Sequence, residues 1–220
     1  MLSILVTFAL RQEGVSFEKR LIQRLVEPDL LRGRLDSREV AVYWLGIGIR
    51  DDDRFKNILT DLRPGLVINS GFAGAVRTLL EPGDFVLAEN FSSPELLKWF
   101  ARSSVFEARG RFNCVDAIAD AAAKRRMNCE GNTIALDMES AGVDAVCRNL
   151  SVPLISAKMI SDRYDEGIPG VFLGKGIRRV KDVSDAIAFA SRMLVLRRRL
   201  AGRLVELIRA IEPASLTTPA

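Results

Sequence analysis

The chain predicts an α/β fold in three layers, a central and largely parallel sheet covered on both faces by helices. Three observations carry that prediction. Apolar, β-rich runs alternate with helix-like segments, glycine-rich turns follow the runs, and three of the runs end just before carboxylates. In an open α/β sheet ligands collect beyond the carboxyl ends of the strands, so acids far apart in sequence can meet in one pocket there.

Taken in order, the run Leu2 to Leu10 reads as a buried strand and the segment Phe17 to Val26 as a helix. Val40 to Leu45 is the next strand, followed by the Gly46-Ile47-Gly48 turn and a helix over Asp52 to Leu62. Leu66 to Ser70 leads into a second turn, Ser70-Gly71-Phe72-Ala73-Gly74. Glycines at such turns let backbone N–H groups approach a ligand, and equally they serve tight turns with positive φ. Pro82-Gly83-Asp84 is a turn into a strand at Phe85 to Ala88. Asn132 to Leu136 and Val152 to Ile160 are further strands. From Val183 to Glu212 the residues Ile187, Met193, Leu194, Leu200, Leu204, Ile208 and Ile211 recur at helical spacing, which predicts one long helix packed on the sheet. The expected organisation is a single domain over residues 1–212 and a frayed tail over 213–220.

Composition excludes much. With no histidine in 220 residues, a Ser-His or Cys-His nucleophile is ruled out and a zinc site is disfavoured. Acid-base chemistry must therefore run on Asp, Glu, Lys, Tyr or Cys. Cys114, Cys129 and Cys147 are odd in number and lack CxxC spacing, which suits reduced thiols in a cytoplasmic protein. The net charge of +4 is too small to argue for nucleic acid as a partner. Its basic excess lies in the last third, including Arg178, Arg179, Arg192 and Arg197 to Arg199, where an Arg-rich helix face also suits a weak contact with anionic lipid headgroups. The N-terminal apolar run has no basic segment before it and no small-residue cleavage site after it, so it reads as a strand rather than a leader.

The strand-end acids are Glu13, the pair Asp137 and Glu139, and Asp162. Each has an ordinary structural reading: Asp162 as a helix N-cap, Asp137 and Glu139 as first-turn acids facing a helix dipole. Their sequence context argues for more. The run Ile134-Ala135-Leu136-Asp137-Met138-Glu139-Ser140, then Ile160-Ser161-Asp162, resembles the nucleoside phosphorylase and nucleosidase superfamily, in particular the methylthioadenosine/S-adenosylhomocysteine nucleosidases. Ala9-Leu10-Arg11-Gln12-Glu13 and Ile68-Asn69-Ser70-Gly71-Phe72-Ala73-Gly74, with Pro82-Gly83-Asp84 downstream, match the same pattern. The segment from Asp116 to Asp165 is similar to a hopanoid-associated, phosphorylase-like subgroup that acts on adenosyl-hopane.

The resemblance implies the nucleoside phosphorylase-type three-layer fold, a homodimer, no cofactor, and cleavage of the N-glycosidic bond of a 5'-substituted adenine nucleoside. Breaking that bond builds positive charge on the ribose and negative charge on the purine, so carboxylates near the sugar and a proton donor near the base lower the barrier. By resemblance Asp162 protonates purine N7, Ser161 orients Asp162, Glu139 holds the ribose hydroxyls, Met138 packs against the sugar and Glu13 activates water. Phe72, Ala73 and Gly74 would line the substrate. Ile118 stands where the nucleosidases stack an aromatic residue on adenine, so the base would meet apolar packing there, or Phe72 or Phe112. For Asp162 to act as an acid near neutral pH its pKa must rise from about 3.9 by roughly 3 units, which burial and neighbouring carboxylates could supply.

The superfamily's phosphorylases hold phosphate with an arginine and a hydroxyl residue around the Gly-rich turn, whereas Asn69 and Phe72 stand at those places here. Water is the expected nucleophile. The rival readings are a phosphate-dependent phosphorylase and a nucleoside-binding protein without turnover.

Overall fold

The computed structural model describes residues 3–49, 52–117, 119–128, 132–169 and 180–211. Ile118, Cys129, Arg178, Arg179 and the expected tail at 213–220 lie outside them.

The first strand, β1 (Ser3–Phe8), is buried over five of its six residues, as a continuous apolar run requires when both faces are covered. It pairs in parallel with β4 (Arg38–Trp44) on one side and β5 (Leu66–Asn69) on the other. The antiparallel strands β2 (Ile22–Val26) and β3 (Leu30–Leu35) extend the β4 edge. Beyond β5 lies β10 (Leu154–Asp162), nine residues long and buried throughout. Its first residues pair with β5, and its last with β6 (Phe72–Ala75) and β7 (Phe85–Ala88). The ladder then continues from β6 to β9 (Thr133–Asp137), from β9 to β8 (Ala108–Cys114) and from β8 back to β7. Five strands, β6 to β10, thus close on themselves as a small barrel, and β10 belongs to both barrel and open sheet. Ala73, Ala75, Val86, Phe112, Ala135 and Ile160 form the barrel's apolar cluster.

Among the described residues six α-helices surround the strands. These are α1 (Arg11–Glu18), α2 (Asp52–Leu62), α3 (Pro94–Trp99), α4 (Ala121–Asn128), α5 (Ser140–Asn149) and α6 (Val180–Ala210). The helix expected over Asp52 to Leu62 is present with those bounds. Both glycine turns stand at strand ends, with Gly46, Gly48 and Gly71 at φ of 78°, 69° and 124°. The Gly-rich run itself continues as β6 from Phe72. The sheet is mixed and mostly parallel, as expected.

Two sequence expectations are corrected. Phe17 to Val26 is not one helix: the helix comes earlier, over Arg11–Glu18, and Ile22–Val26 is an edge strand. Its apolar residues Ile22, Leu25 and Val26 are 58–61% exposed, so the segment gains ladder hydrogen bonds with β3 rather than a buried face. On α6, Leu200, Leu204 and Ile208 are buried as their spacing predicts, but Ile187 and Leu194 face solvent. The buried stripe is completed by Leu196, Ala201 and Leu207, which belong to the C-terminal half of the helix, where it crosses the sheet. Arg192, Arg203 and Arg209 on α6 pair with Glu166, Glu107 and Asp36 of the body, so part of the basic face is neutralised within the chain. Among the described residues no helix is long and apolar enough to cross a membrane.

Leu204 has no solvent exposure and stands in the centre of the α6 stripe. Leu204→Ala is expected to lower unfolding stability by about 3 kcal/mol through lost burial and the cavity it leaves, read as a shifted urea midpoint.

Candidate active site

The site is assembled at the carboxyl ends of β1, β5, β9 and β10, where the glycine-rich start of β6 passes between the acids. Glu13 sits in the first turn of α1. Its carboxylate reaches back to the Leu10 N–H at 3.3 Å, an N-terminal helix contact that a leucine side chain cannot reciprocate. The same carboxylate lies against Gly71, where an added Cβ would stand 2.8 Å from Oε2. With its φ of 124° as well, Gly71 is required twice over. Burial raises the Glu13 pKa to about 7, and Glu139 adds to the rise, while Lys158 and the Leu10 N–H oppose it.

Glu139 ends the turn between β9 and α5. It occupies the N-cap position, but its side chain caps nothing. Instead one oxygen accepts from the Gly48 N–H at 3.3 Å and the other from Lys158 Nζ at 3.3 Å. Asp137 takes the capping role, accepting from the Ser140 N–H at 3.1 Å and the Ser140 hydroxyl at 2.5 Å, and it too lies 3.3 Å from Lys158. Lys158 projects from the middle of β10 and is wholly buried. Burial works against its charge, yet Asp137, Glu139 and Glu13 together outweigh it and hold the ammonium pKa above the ordinary lysine value.

Asp162 closes β10 and is 3% exposed. Residues 163–169 after it are not helical, so the N-cap reading falls away. Ser161 Oγ is within donating reach of Asp162 Oδ1 and of the Ala73 carbonyl at 3.3 Å, so serine and acid are in direct contact. The charged group touching Asp162 is not a carboxylate, as the sequence had suggested, but Lys124 of α4, which donates to Oδ2. The reason is tertiary: α4 follows β8, and β8 lies in the barrel that β10 completes.

Glu13 lies against Gly71 and Asp162 against Gly74, two backbone positions three residues apart, which spans roughly 10 Å of extended chain. Phe72 and Met138 are partly exposed, and Ala73 is buried. Phe112 is 1% exposed within the barrel cluster, which leaves Phe72 as the aromatic side chain with surface to offer a base. Asn69, where phosphorylases carry arginine, is buried; its oxygen accepts from Thr7, and its amide donates to Ser140 and Ser156 at 3.0 and 3.3 Å. Arg11 stacks over Trp44, and Arg163 pairs with Glu81 and Asp165. Among the described residues no cluster suits a metal ion. An 820 Å³ cavity opens on the barrel flank between Phe91, Asn113 and Arg148. None of Glu13, Glu139 and Asp162 lines it, and volume alone does not make it the site.

The chain is similar to 5'-methylthioadenosine/S-adenosylhomocysteine nucleosidases. That of S. pneumoniae, solved with the transition-state inhibitor MT-ImmA, is 19% identical, with 96% of this chain and 100% of that one covered at a TM-score of 0.74. The S-adenosylhomocysteine nucleosidase of Streptococcus pyogenes gives 18%, 96%, 98% and 0.75 in the same order. The Arabidopsis thaliana 5'-methylthioadenosine nucleosidase gives 17%, 97%, 97% and 0.71. The chain shares the fold of these nucleosidases. No protein-family model matches it.

Sequence reasoning missed Lys124 and Lys158. A lysine inside the apolar run Val152 to Ile160 was the available signal for Lys158, since a buried ammonium demands counter-charges. Lys124, in an Ala- and Arg-rich helix, carries no such signal.

The Glu13 shift has a measurable consequence. A pKa raised from 4.5 to about 7 on folding means that the native state holds its proton more tightly. This contribution to stability is fully present below pH 4.5 and is lost as the pH rises through 7. Glu13→Gln has no proton to lose, so its stability should gain on that of the unsubstituted protein across this window and run parallel to it above. Urea titrations at a series of pH values measure the difference.

Proposed function

We propose that the protein is an N-ribosyl hydrolase that cleaves the N-glycosidic bond of a 5'-substituted adenine nucleoside with water as nucleophile. The observation that carries this reading is the gathering of Glu13, Glu139 and Asp162 around β6, with Glu13 titrating near 7. A base with that pKa takes a proton from water at neutral pH without holding it too tightly to release it. Glu139, paired with Lys158, would accept from ribose hydroxyls and face the positive charge that develops on the sugar. Met138 and Phe72 would pack on sugar and base, and Ala73 and Gly74 would line the base. Asp162, oriented by Ser161, would deliver the proton to the purine. The fold shared with proteins solved as nucleosidases supports the same reaction class.

The internal engagement of Asn69, Arg11 and Arg163 favours water over phosphate. Phosphate brings up to two negative charges among carboxylates and needs an Arg fork to hold it. In phosphate-free buffer a panel of adenine nucleosides should therefore yield free adenine and unphosphorylated sugar at the full rate, and Glu13→Gln should abolish turnover. Ribose 1-phosphate as the main product would replace hydrolysis by phosphorolysis.

The finer resemblance directs the choice of 5' substituent toward an apolar, hopanoid-like lipid, handled by a cytoplasmic homodimer in weak contact with a membrane surface. Exposed Ile187, Leu194 and Val195 on α6 are apolar surface suited to a second copy or to lipid, and Arg198 and Arg199 follow them. A 5'-alkyl adenosine should then be processed better than adenosine, each buried CH₂ contributing about 0.8 kcal/mol. A preference for unsubstituted adenosine or inosine in kcat/KM would remove the lipid from this reading.

A further inference from the structure

Lys124 has no part in the reaction as set out above, and its placement is unusual. The Asp120 carboxylate accepts from the Ala123 N–H at 2.7 Å and starts α4, so Lys124 falls in the first turn. Among the described side chains of that helix Lys124 alone is buried, at 2% exposure, in the sequence Ala-Ala-Ala-Lys-Arg-Arg. Its ammonium has three N–H donors and meets three acceptors: Asp162 Oδ2, the Arg163 carbonyl at 3.0 Å and the Glu166 carbonyl at 3.0 Å. Gly74 makes room for it, because a Cβ there would lie 3.0 Å from Lys124 Cε and 3.1 Å from Nζ.

A buried ion pair is poor value as a stabilising device, since desolvating both charges cancels most of their attraction. Here it sits on the carboxylate that the hydrolase reading needs as a proton donor. The Lys124 ammonium is in direct contact with that carboxylate, so a proton can pass between the two groups. We propose that Lys124 is the source of the leaving-group proton, a positioning residue that acts through Asp162; this inference rests on the hydrolase reading.

The C1'–N9 bond breaks with its electron pair going to the purine while the water oxygen bonds to C1' and a water proton passes to Glu13. Negative charge growing on the purine in front of Asp162 raises the proton affinity of the carboxylate. A Lys124 N–H bond breaks as an Asp162 O–H bond forms, and that proton then passes to the purine nitrogen. After the products leave, Glu13 gives its proton to solvent and Lys124 recovers one. Asp162 gains one proton and passes one on in each cycle, and so returns to its starting state.

The test compares Lys124→Arg, which keeps charge and donors but holds its protons far more tightly, with the unsubstituted protein on two 5'-alkyl nucleosides. One carries adenine and the other 2-fluoroadenine, a better leaving group. The expected result is unchanged thermal stability and KM, with kcat on the adenine nucleoside reduced by about 10²-fold and a several-fold smaller loss on the fluorinated one. Should the arginine variant not fold, Lys124→Gln, which keeps an N–H donor and no ammonium proton, reads the same split. Equal losses on both nucleosides, a loss confined to KM, or full activity would overturn the role of Lys124 and leave the hydrolase standing. Failure of the unsubstituted protein to release purine from either nucleoside would overturn both.

Discussion

A fully buried ammonium at the centre of a sheet cannot stand alone, because removing a charge from water costs several kcal/mol that only close counter-charges and hydrogen bonds can offset. Lys158 is that ammonium, and the arrangement around it follows from meeting this demand. Asp137 and Glu139 each lie 3.3 Å away, and Glu13 is near enough to share its field. The carboxylates divide by what else they touch. Asp137 is tied to the start of α5 through Ser140, Glu139 to the backbone of the Gly48 turn, and Glu13 to the backbone of Leu10 and Ala9 beside Gly71. Burial, the largest influence on Glu13, lifts its pKa to about 7.

The strand that carries Lys158 also carries Ser161 and Asp162, and it is shared by open sheet and barrel. That sharing fixes the distances between groups from distant parts of the chain. Glu13 arrives with the helix after β1, Glu139 with the turn after β9, and Lys124 with the helix after β8, and all are referred to β10 through its ladders. Between them β6 is only four residues long, and the glycines at 71 and 74 are the places where acid side chains press on its backbone. Short strands with little side-chain bulk let polar groups from both ends of the site come within reach of one small ligand.

Two buried lysines, one at each end of this strip, give the site an electrostatic asymmetry. Lys158 pairs with carboxylates that would face the sugar in the proposed reaction, where positive charge would develop. Lys124 stands behind the carboxylate that would face the departing base, where negative charge develops. Burying such groups trades stability for preorganisation, because fixed charges in a low-dielectric setting need not reorganise when the reaction begins.

The sequence by itself determined the three-layer α/β class, most of the inner strands and the strand-end acids. A continuous apolar run such as Val152 to Ile160 has few ways to bury both its faces, and an acid after it has few places to go. It also named Glu13, Glu139, Ser161 and Asp162, because they lie in short ordered motifs. It misplaced the segment Phe17 to Val26, where apolar residues on an exposed edge strand mimic helical spacing, and it passed over β8 (Ala108–Cys114), whose arginines and asparagine hide its alternation. Only the tertiary structure decided that Asp162 meets a lysine, that Phe112 is locked in the barrel core, and that Asn69 is engaged by Thr7, Ser140 and Ser156. Those are relations between side chains 38 to 87 positions apart or joined through a third strand. Local spacing carries the pattern of burial, whereas the partner of a buried charge is set by which strands lie side by side.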